Sequence, residues 1–370
     1  MIFWNYWLPS LLYSRSVALY GSGHPDFNIF YNAGWLWMHG QNPYLLDQFV
    51  YPPPSIPFFA FYALIPIEQA AQAWMATYLT VFLAAMLALA ISLKRERRSL
   101  FLTIAPILFV TSFPLLIMVV LGQSDLFVSS LCMLSFAALR FKRDTASAAS
   151  LSLGVLMKGT PVFLLIYFVL YRRDISYLLR FIAIVSGIVL TSLLVIPTQL
   201  YYSYFTVVGP EMAVAASAEQ NQSITGLVTM LGMSNISTVV ALAGIAALSV
   251  FAFYANRKTS NNSREVTLNA DAMFLMNILV MLALGPRSWP ANYVWVILPV
   301  ALFLSGLLTE HVNTLYLVAV GAAAFLLNAS LTQEFLNLTT LPLALSGNLI
   351  LIMLLIPKCI RPPLPQTRDR

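Results

Sequence analysis

The sequence predicts an all-α polytopic membrane protein, and three observations carry that prediction. Of its 370 residues, 59% are hydrophobic and 9% are charged, with a mean hydropathy of +0.80, whereas a soluble domain carries about 25% charged residues. The apolar residues fall into runs approaching the roughly 20 residues that an α-helix needs to cross a bilayer. The 20 Lys and Arg residues gather in short clusters between these runs, the arrangement that orients membrane spans. The net charge of +6 therefore belongs to topology, and no nucleic-acid partner is expected.

The elements follow in order. Ile2–Tyr20 reads as a weak first span, interrupted by Pro9 and Arg15. With no basic leader or small-residue cleavage site, it is expected to be retained. The first outer loop, 21–66, holds His24-Pro25-Asp26, an aromatic amphipathic stretch Phe27–Met38, and the turns Asn42-Pro43-Tyr44 and Tyr51-Pro52-Pro53-Pro54. It closes with Ser55–Ile67, too short for a span; aromatic rings beside turn residues suit helices lying in the membrane interface. Spans are expected at Gln69–Leu93, Leu100–Leu121, Leu126–Leu139, Phe181–Leu200, Thr238–Tyr254, Ala272–Leu284, Tyr293–Leu308, Leu315–Leu327 and Leu343–Ile356. Segment 146–171 is broken by Lys158-Gly159-Thr160-Pro161, and Arg140, Lys142, Arg143, Arg172 and Arg173 flank it. Basic residues at both ends put both on one face, so two half-helices should meet at Lys158. The sum is about 11–12 spans in a single transmembrane domain, 1–370, with a second outer loop at 201–233 and a cytoplasmic tail at 358–370.

Three basic residues, Arg15, Lys158 and Arg287, stand apart from the clusters. An ionisable group at membrane depth costs a few kcal/mol, which makes each a candidate site residue. Lys158 reads either as an anion site or, more plainly, as a lysine that snorkels to the outer interface or pairs with a structural carboxylate. Arg287, in Gly285-Pro286-Arg287-Ser288-Trp289-Pro290, reads as a planar fork for phosphate or as an interfacial arginine beside an aromatic belt. Asp26 is either an acid facing a cavity or a helix cap. Asp125, after Leu121-Gly122-Gln123-Ser124, reads first as a cap. His24, His39 and His311 are scattered, Cys132 and Cys359 are isolated, and neither a phosphate loop nor a nucleophile elbow is present, so no cofactor or metal is expected.

An ordered series of motifs then matters. Asp26-Phe27, Tyr31-Asn32-Ala33-Gly34, Gly40-Gln41-Asn42-Pro43-Tyr44, Tyr51-Pro52-Pro53, Leu121-Gly122-Gln123, Leu153-Gly154 through Lys158 to Pro161, Asn221-Gln222-Ser223 and Ser288-Trp289 together resemble glycosyltransferase family 87. These are polyprenyl-phosphate-mannose-dependent enzymes of the multi-spanning GT-C class. The resemblance implies a GT-C fold in the cytoplasmic (inner) membrane with its active site on the outer face. It implies transfer of a hexose, mannose first, from a polyprenyl-phosphate sugar to a lipid-linked or cell-envelope glycan, with inversion and without metal. Asp26 matches the family's catalytic base, and Lys158 matches a lysine suited to the donor phosphate. Asn42, Tyr44, Tyr51, Gln123, Asp125, Asn221, Gln222, Trp289 and Asn292 are carried as substrate-contacting candidates. One departure stands out: where relatives often have a histidine pair after the Ser-Trp, this chain reads Pro290-Ala291-Asn292-Tyr293. Arg287 is therefore expected to take over the phosphate contact. The implied partners are the lipid-phosphate donor, a glycolipid or glycan acceptor and membrane lipids. A donor such as arabinofuranose and a lipid-linked-sugar flippase remain alternatives; a transporter would be expected to place its charges at mid-membrane in repeat-related helices.

Overall fold

The structure, a computed structural model, describes residues 24–46, 48–214, 221–259, 268–309, 313–328 and 343–360. The expected first span with Arg15, His311 and most of the tail lie outside the described residues. Among those described, all regular structure is helical.

The amphipathic stretch of the first loop forms helix α1, Pro25–Met38. Pro25 at its start has the φ that a first helical residue needs. At its end Gly40 turns left-handed (φ +71°), and Gln41 N donates to Leu36 O at 2.9 Å, a glycine-terminated cap. Helix α2, Ile56–Tyr62, crosses α1 so closely that a Cβ on Gly34 would lie 2.6 Å from Ala60 Cα. This close approach explains why glycine occupies 34.

Helix α3, Ile67–Ile91, is long and apolar enough to cross a membrane. The run expected as a span, 100–121, forms two helices, α4, Arg95–Thr111, and α5, Phe113–Leu121, bent by 59°. Ser112 causes the break: its Oγ accepts from Leu115 N at 3.2 Å, and Pro114 occupies the first turn of α5, both signals of a new helix start. Helix α6, Asp125–Arg140, is almost wholly buried. Its serines sit against other helices and not against lipid, so a length of 16 residues is sufficient. Helix α7, Asp144–Met157, returns antiparallel to α6 and stops at Lys158, which is extended. A 3₁₀ turn (Thr160–Leu164) and a π-helical turn (Ile166–Tyr171) continue the broken element expected there.

Helix α8, Ile175–Ser192, is largely exposed laterally. It ends before Pro197, and α9 (Thr198–Ser203), a π turn (204–208) and α10 (Gly209–Ala213) form the first part of the second loop region. The chain finishes with α11 (Ile224–Met230), α12 (Ser234–Thr259), α13 (Leu268–Leu284), a 3₁₀ segment (Pro290–Val296), α14 (Ile297–Leu307), α15 (Thr314–Asn328) and α16 (Leu343–Ile360). By length and composition, four stretches among the described residues suffice to cross a membrane, or five if the bent α4–α5 pair is one span. The other expected spans that are described correspond to shorter helices, such as α13, α15 and α16.

Because α6 and α7 are antiparallel, Arg140 and Asp144 share one end of the bundle while Asp125 and Lys158 share the other. At the basic end Asp271 of α13, 2% exposed, receives hydrogen bonds from Arg140 Nη1 at 2.7 Å and from Arg97 Nη2. Arg97 also donates to Leu302 O at 2.7 Å, and Arg140 to Ser92 Oγ at 2.9 Å. One carboxylate thus ties α3, α4, α6, α13 and α14 together. Removing one member of a buried ion network leaves charge uncompensated at a cost of about 3–5 kcal/mol. Asp271→Ala is accordingly expected to lower the thermal midpoint of the purified protein in lipid nanodiscs markedly; an unchanged midpoint would refute this role.

Candidate active site

The candidate site is built on the corner between α5 and α6. Gly122 caps α5 with φ +73°, and a Cβ there would stand 2.7 Å from Phe27 Cβ and 3.0 Å from His24 Cβ. Trp74 Nε1 donates to Gly122 O at 2.9 Å, and His24 Nδ1 lies 3.1 Å from Val120 O. The first turn of α1 is therefore seated directly on this corner. His24 occupies the N-cap position in a left-handed conformation. Asp26, one of the two readings of which was a cap, is instead the second residue of the helix.

Seating α1 here places Asp26 beside the polar residues that follow Gly122. Burial pushes the Asp26 carboxyl above its ordinary range; a side-chain hydrogen bond from Gln123 and the Lys158 charge act in the opposite direction, while Asp125 adds to the rise. Ser124 Oγ and Tyr51 OH are 2.7 Å apart, which pins the first loop to the same corner. Asp125, only 1% exposed, accepts from Lys158 Nζ with both oxygens, at 2.9 and 2.8 Å. Its Oδ1 also accepts from Trp295 Nε1 at 2.7 Å. Asp125 is thus the structural carboxylate that one reading of Lys158 anticipated, and Ser124, not Asp125, holds the N-cap position of α6. An ammonium has three N–H donors; two point at Asp125, and one remains for another acceptor.

A second cluster surrounds Arg287. Its Nη2 donates to Glu211 O at 3.1 Å and to Glu211 Oε1 at 3.3 Å, and its Nε is buried with no hydrogen-bond acceptor among the described residues. The turn carrying Arg287 is clipped to the second loop. Asn221 Nδ2 donates to Pro286 O at 2.9 Å, its Oδ1 accepts from Ser288 N at 3.1 Å, and Gln222 N donates to Ser288 O at 2.7 Å. Tyr293 OH reaches Gln222 O at 2.6 Å. Asn292 Oδ1 accepts from Trp289 N at 2.7 Å and shapes the start of the 3₁₀ segment. That segment carries Trp295, which links the two clusters.

The structure therefore brings Asp26, Gln123, Asp125 and Lys158 together, with Tyr51 behind them. Arg287, Asn221, Gln222, Trp289 and Asn292 form a neighbouring group held by backbone contacts. Asn42 and Tyr44 lie past the far end of α1, a helix of 14 residues and therefore about 20 Å long. There Asn42 Oδ1 accepts from Tyr44 N at 2.9 Å, and Tyr44 OH donates to Tyr51 O at 2.9 Å. Trp295 is the hydrogen-bond partner of Asp125 that the sequence did not point to. A buried indole N–H needs an acceptor, but nothing in an apolar stretch says which. Among the described residues, no three His, Cys, Asp or Glu side chains converge as metal ligands.

Residues 49–286, which include Gln123, Asp125 and Lys158, match the profile of glycosyltransferase family 87. The chain belongs to glycosyltransferase family 87. Over 184 residues it is 30% identical to the polyprenol-phosphate-mannose-dependent alpha-(1-2)-phosphatidylinositol mannoside mannosyltransferase of Mycolicibacterium smegmatis, an alignment covering 48% of this chain and 40% of that protein. The chain thus aligns with less than half the length of that curated relative. No solved structure matches it.

In this family 87 chain the seat of Asp26 depends on Gly122. Alanine there meets both a left-handed backbone and the Phe27 side chain, each disfavoured by about 1–3 kcal/mol. Gly122→Ala is expected to lower the thermal midpoint and to free α1, read as faster amide exchange over 24–38. Unaltered exchange in α1 would contradict the seating role.

Proposed function

We propose that this family 87 protein transfers a hexose, mannose first, from a polyprenyl-phosphate sugar to a hydroxyl of a lipid-linked or cell-envelope glycan. The observation that carries this reading is the juxtaposition of Asp26 with Gln123 and with the Lys158–Asp125 pair. The polyprenol-phosphate-mannose dependence in the name of the Mycolicibacterium smegmatis relative supports the choice of donor. The outer face of the cytoplasmic membrane is proposed as the side of reaction. Asp125 and the Arg140–Asp271 cluster stand at opposite ends of α6, whose 16 residues span about 24 Å, and the basic end is the one expected inside.

In this reading Asp26 acts as general base. The acceptor hydroxyl proton passes to its carboxylate while that oxygen forms a bond to the anomeric carbon. The bond between that carbon and the donor phosphate oxygen breaks, and polyprenyl phosphate leaves with the electron pair. The remaining Lys158 N–H meets the charge growing on the phosphate. Arg287 is the second proposed contact and must exchange its Glu211 partner for phosphate to make it. No metal enters the scheme.

Asp26→Asn tests the reading. With radiolabelled polyprenyl-phosphate mannose and membrane acceptors, transfer should fall about 10²–10⁴-fold, the usual contribution of a general base; undiminished transfer would exclude Asp26. The raised carboxyl also fixes the sign of two pH effects. The wild-type rate should decline on acidification at a pH above the ordinary carboxylate value of 3.8, because the protonated acid cannot accept a proton. The folded state favours the neutral form, so ionised Asp26 costs stability above its folded pKa, and Asp26→Asn should raise the thermal midpoint at neutral pH while lowering transfer.

Arg287→Ala separates phosphate binding from loop anchoring. Loss of a phosphate contact should raise the donor KM about tenfold, equivalent to about 1.4 kcal/mol. A lower thermal midpoint with unchanged donor KM would assign Arg287 to holding Glu211 alone.

A further inference from the structure

A cleft of about 550 Å³ opens at the far end of α1, between the Gly40 turn and the segment that follows α8. Its walls include Trp37, Gln41 and Asn42 on one side and Val195, Gln199 and Leu200 on the other. The volume falls in the range of small-molecule sites, about 300–1,000 Å³. We propose that this cleft is a subsite for neutral sugar units of the acceptor, remote from its reacting end, with Trp37 as stacking platform and Gln41, Asn42 and Gln199 as hydroxyl partners.

Four observations support this occupant. Every lining side chain is uncharged, which suits a neutral polyol and gives no purchase to a phosphate or carboxylate. The polar groups are amides, each able to donate and accept, and the Gln41 and Gln199 side chains have no hydrogen-bond partner among the described residues. A polyprenyl chain in the same place would dehydrate these amides without replacing their hydrogen bonds. The turn is also pre-formed: Gly40 is left-handed, Gln41 N is bonded to Leu36 O at 2.9 Å, and Tyr44 N holds Asn42 Oδ1 at 2.9 Å, so its amide NH₂ is presented at little entropic cost. Finally, the cleft lies past the end of the laterally exposed helix α8, at Pro197, the end opposite Arg172 and Arg173 and therefore the side on which the proposed reaction puts the glycan.

The length of α1 sets the consequence. Asp26 and Met38 are separated by roughly 18 Å along the helix at 1.5 Å per residue, so a single sugar at Asp26 does not reach the cleft and an acceptor of several units does. The subsite therefore selects for acceptor length. This inference rests on the glycosyltransferase reading above, but binding at the cleft is measurable without turnover.

The test uses full-length protein in lipid nanodiscs and a linear α-linked mannotetraose carrying a photoactivatable diazirine, with labelled peptides identified by mass spectrometry. Labelling is expected within 37–42 and 195–200, competed by unlabelled tetraose and not by methyl mannoside. Gln199→Leu and Trp37→Ala should each reduce it about tenfold, equivalent to about 1.4 kcal/mol, with thermal midpoints reported alongside. Gln199 is exposed, so its variant keeps the test valid if Trp37→Ala fails to fold. Asp26→Asn should label like wild type while losing transfer. Absence of label in these segments, or label that free polyprenyl phosphate displaces and mannotetraose does not, would overturn the proposal. Loss of transfer activity in the wild type with labelling intact would instead count against the catalytic reading alone.

Discussion

The constraint on which the site depends is the burial of Asp125. A carboxylate 1% exposed in a low-dielectric bundle must be paired and hydrogen-bonded or it does not stay ionised. Lys158 and Trp295 supply that compensation from two other parts of the chain. For Lys158 to reach, α7 must stop at Met157 and the backbone must become extended. For Trp295 to reach, the 3₁₀ segment must lie along α5 and α6. The broken helix after α7 and the irregular backbone at 285–296 thus present the two partners of one buried charge. Such irregularity is tolerated at membrane depth where protein covers the freed groups.

The second carboxylate network, around Asp271, solves the same problem at the other end of α6. Two arginines converge there, and Gly306 makes room for Arg97: a Cβ on it would stand 2.8 Å from Nη2. Both ends of a serine-lined, fully packed helix are therefore held by ion pairs, and the helix between them sets their spacing. That spacing keeps Asp26 and its neighbours remote from the basic clusters.

What was legible in the sequence follows from these constraints. The all-helical membrane class was legible because hydropathy reports lipid exposure, and the break at Lys158 was legible because a lysine, a glycine and a proline interrupt one apolar run. The bend at Ser112 was not, since a serine in an apolar run looks like a tolerated polar residue until its hydroxyl is seen capping α5. The convergence of Gln123, Asp125 and Lys158 near Asp26 was legible only through the ordered motifs, because no periodicity connects 26, 125 and 158. Several of the candidate substrate contacts make connections within the fold. Asn221 and Gln222 clip one loop to Pro286 and Ser288, Asn292 shapes a turn, and Asn42 caps another. Motif residues near a site and residues that touch a ligand look alike in one dimension; hydrogen-bond partners separate them.

The pairing of Lys158 also bears on how the proposed reaction would balance its charge. Taken alone, a free lysine at membrane depth suggests a permanent anion site, but here its charge is already matched by Asp125. With Asp26 ionised, the three groups sum to −1; when Asp26 takes the acceptor proton, they sum to zero. In the proposed reaction that change coincides with negative charge building on the departing phosphate oxygen. Protonation of the base therefore lowers the local repulsion toward the leaving group at the moment it grows, and the third Lys158 donor becomes more effective without moving. Such an arrangement favours the transition state over the bound donor, the difference that accelerates a chemical step. An unpaired lysine would instead hold the more negatively charged product phosphate more tightly than the donor phosphate, and a site built that way would slow release.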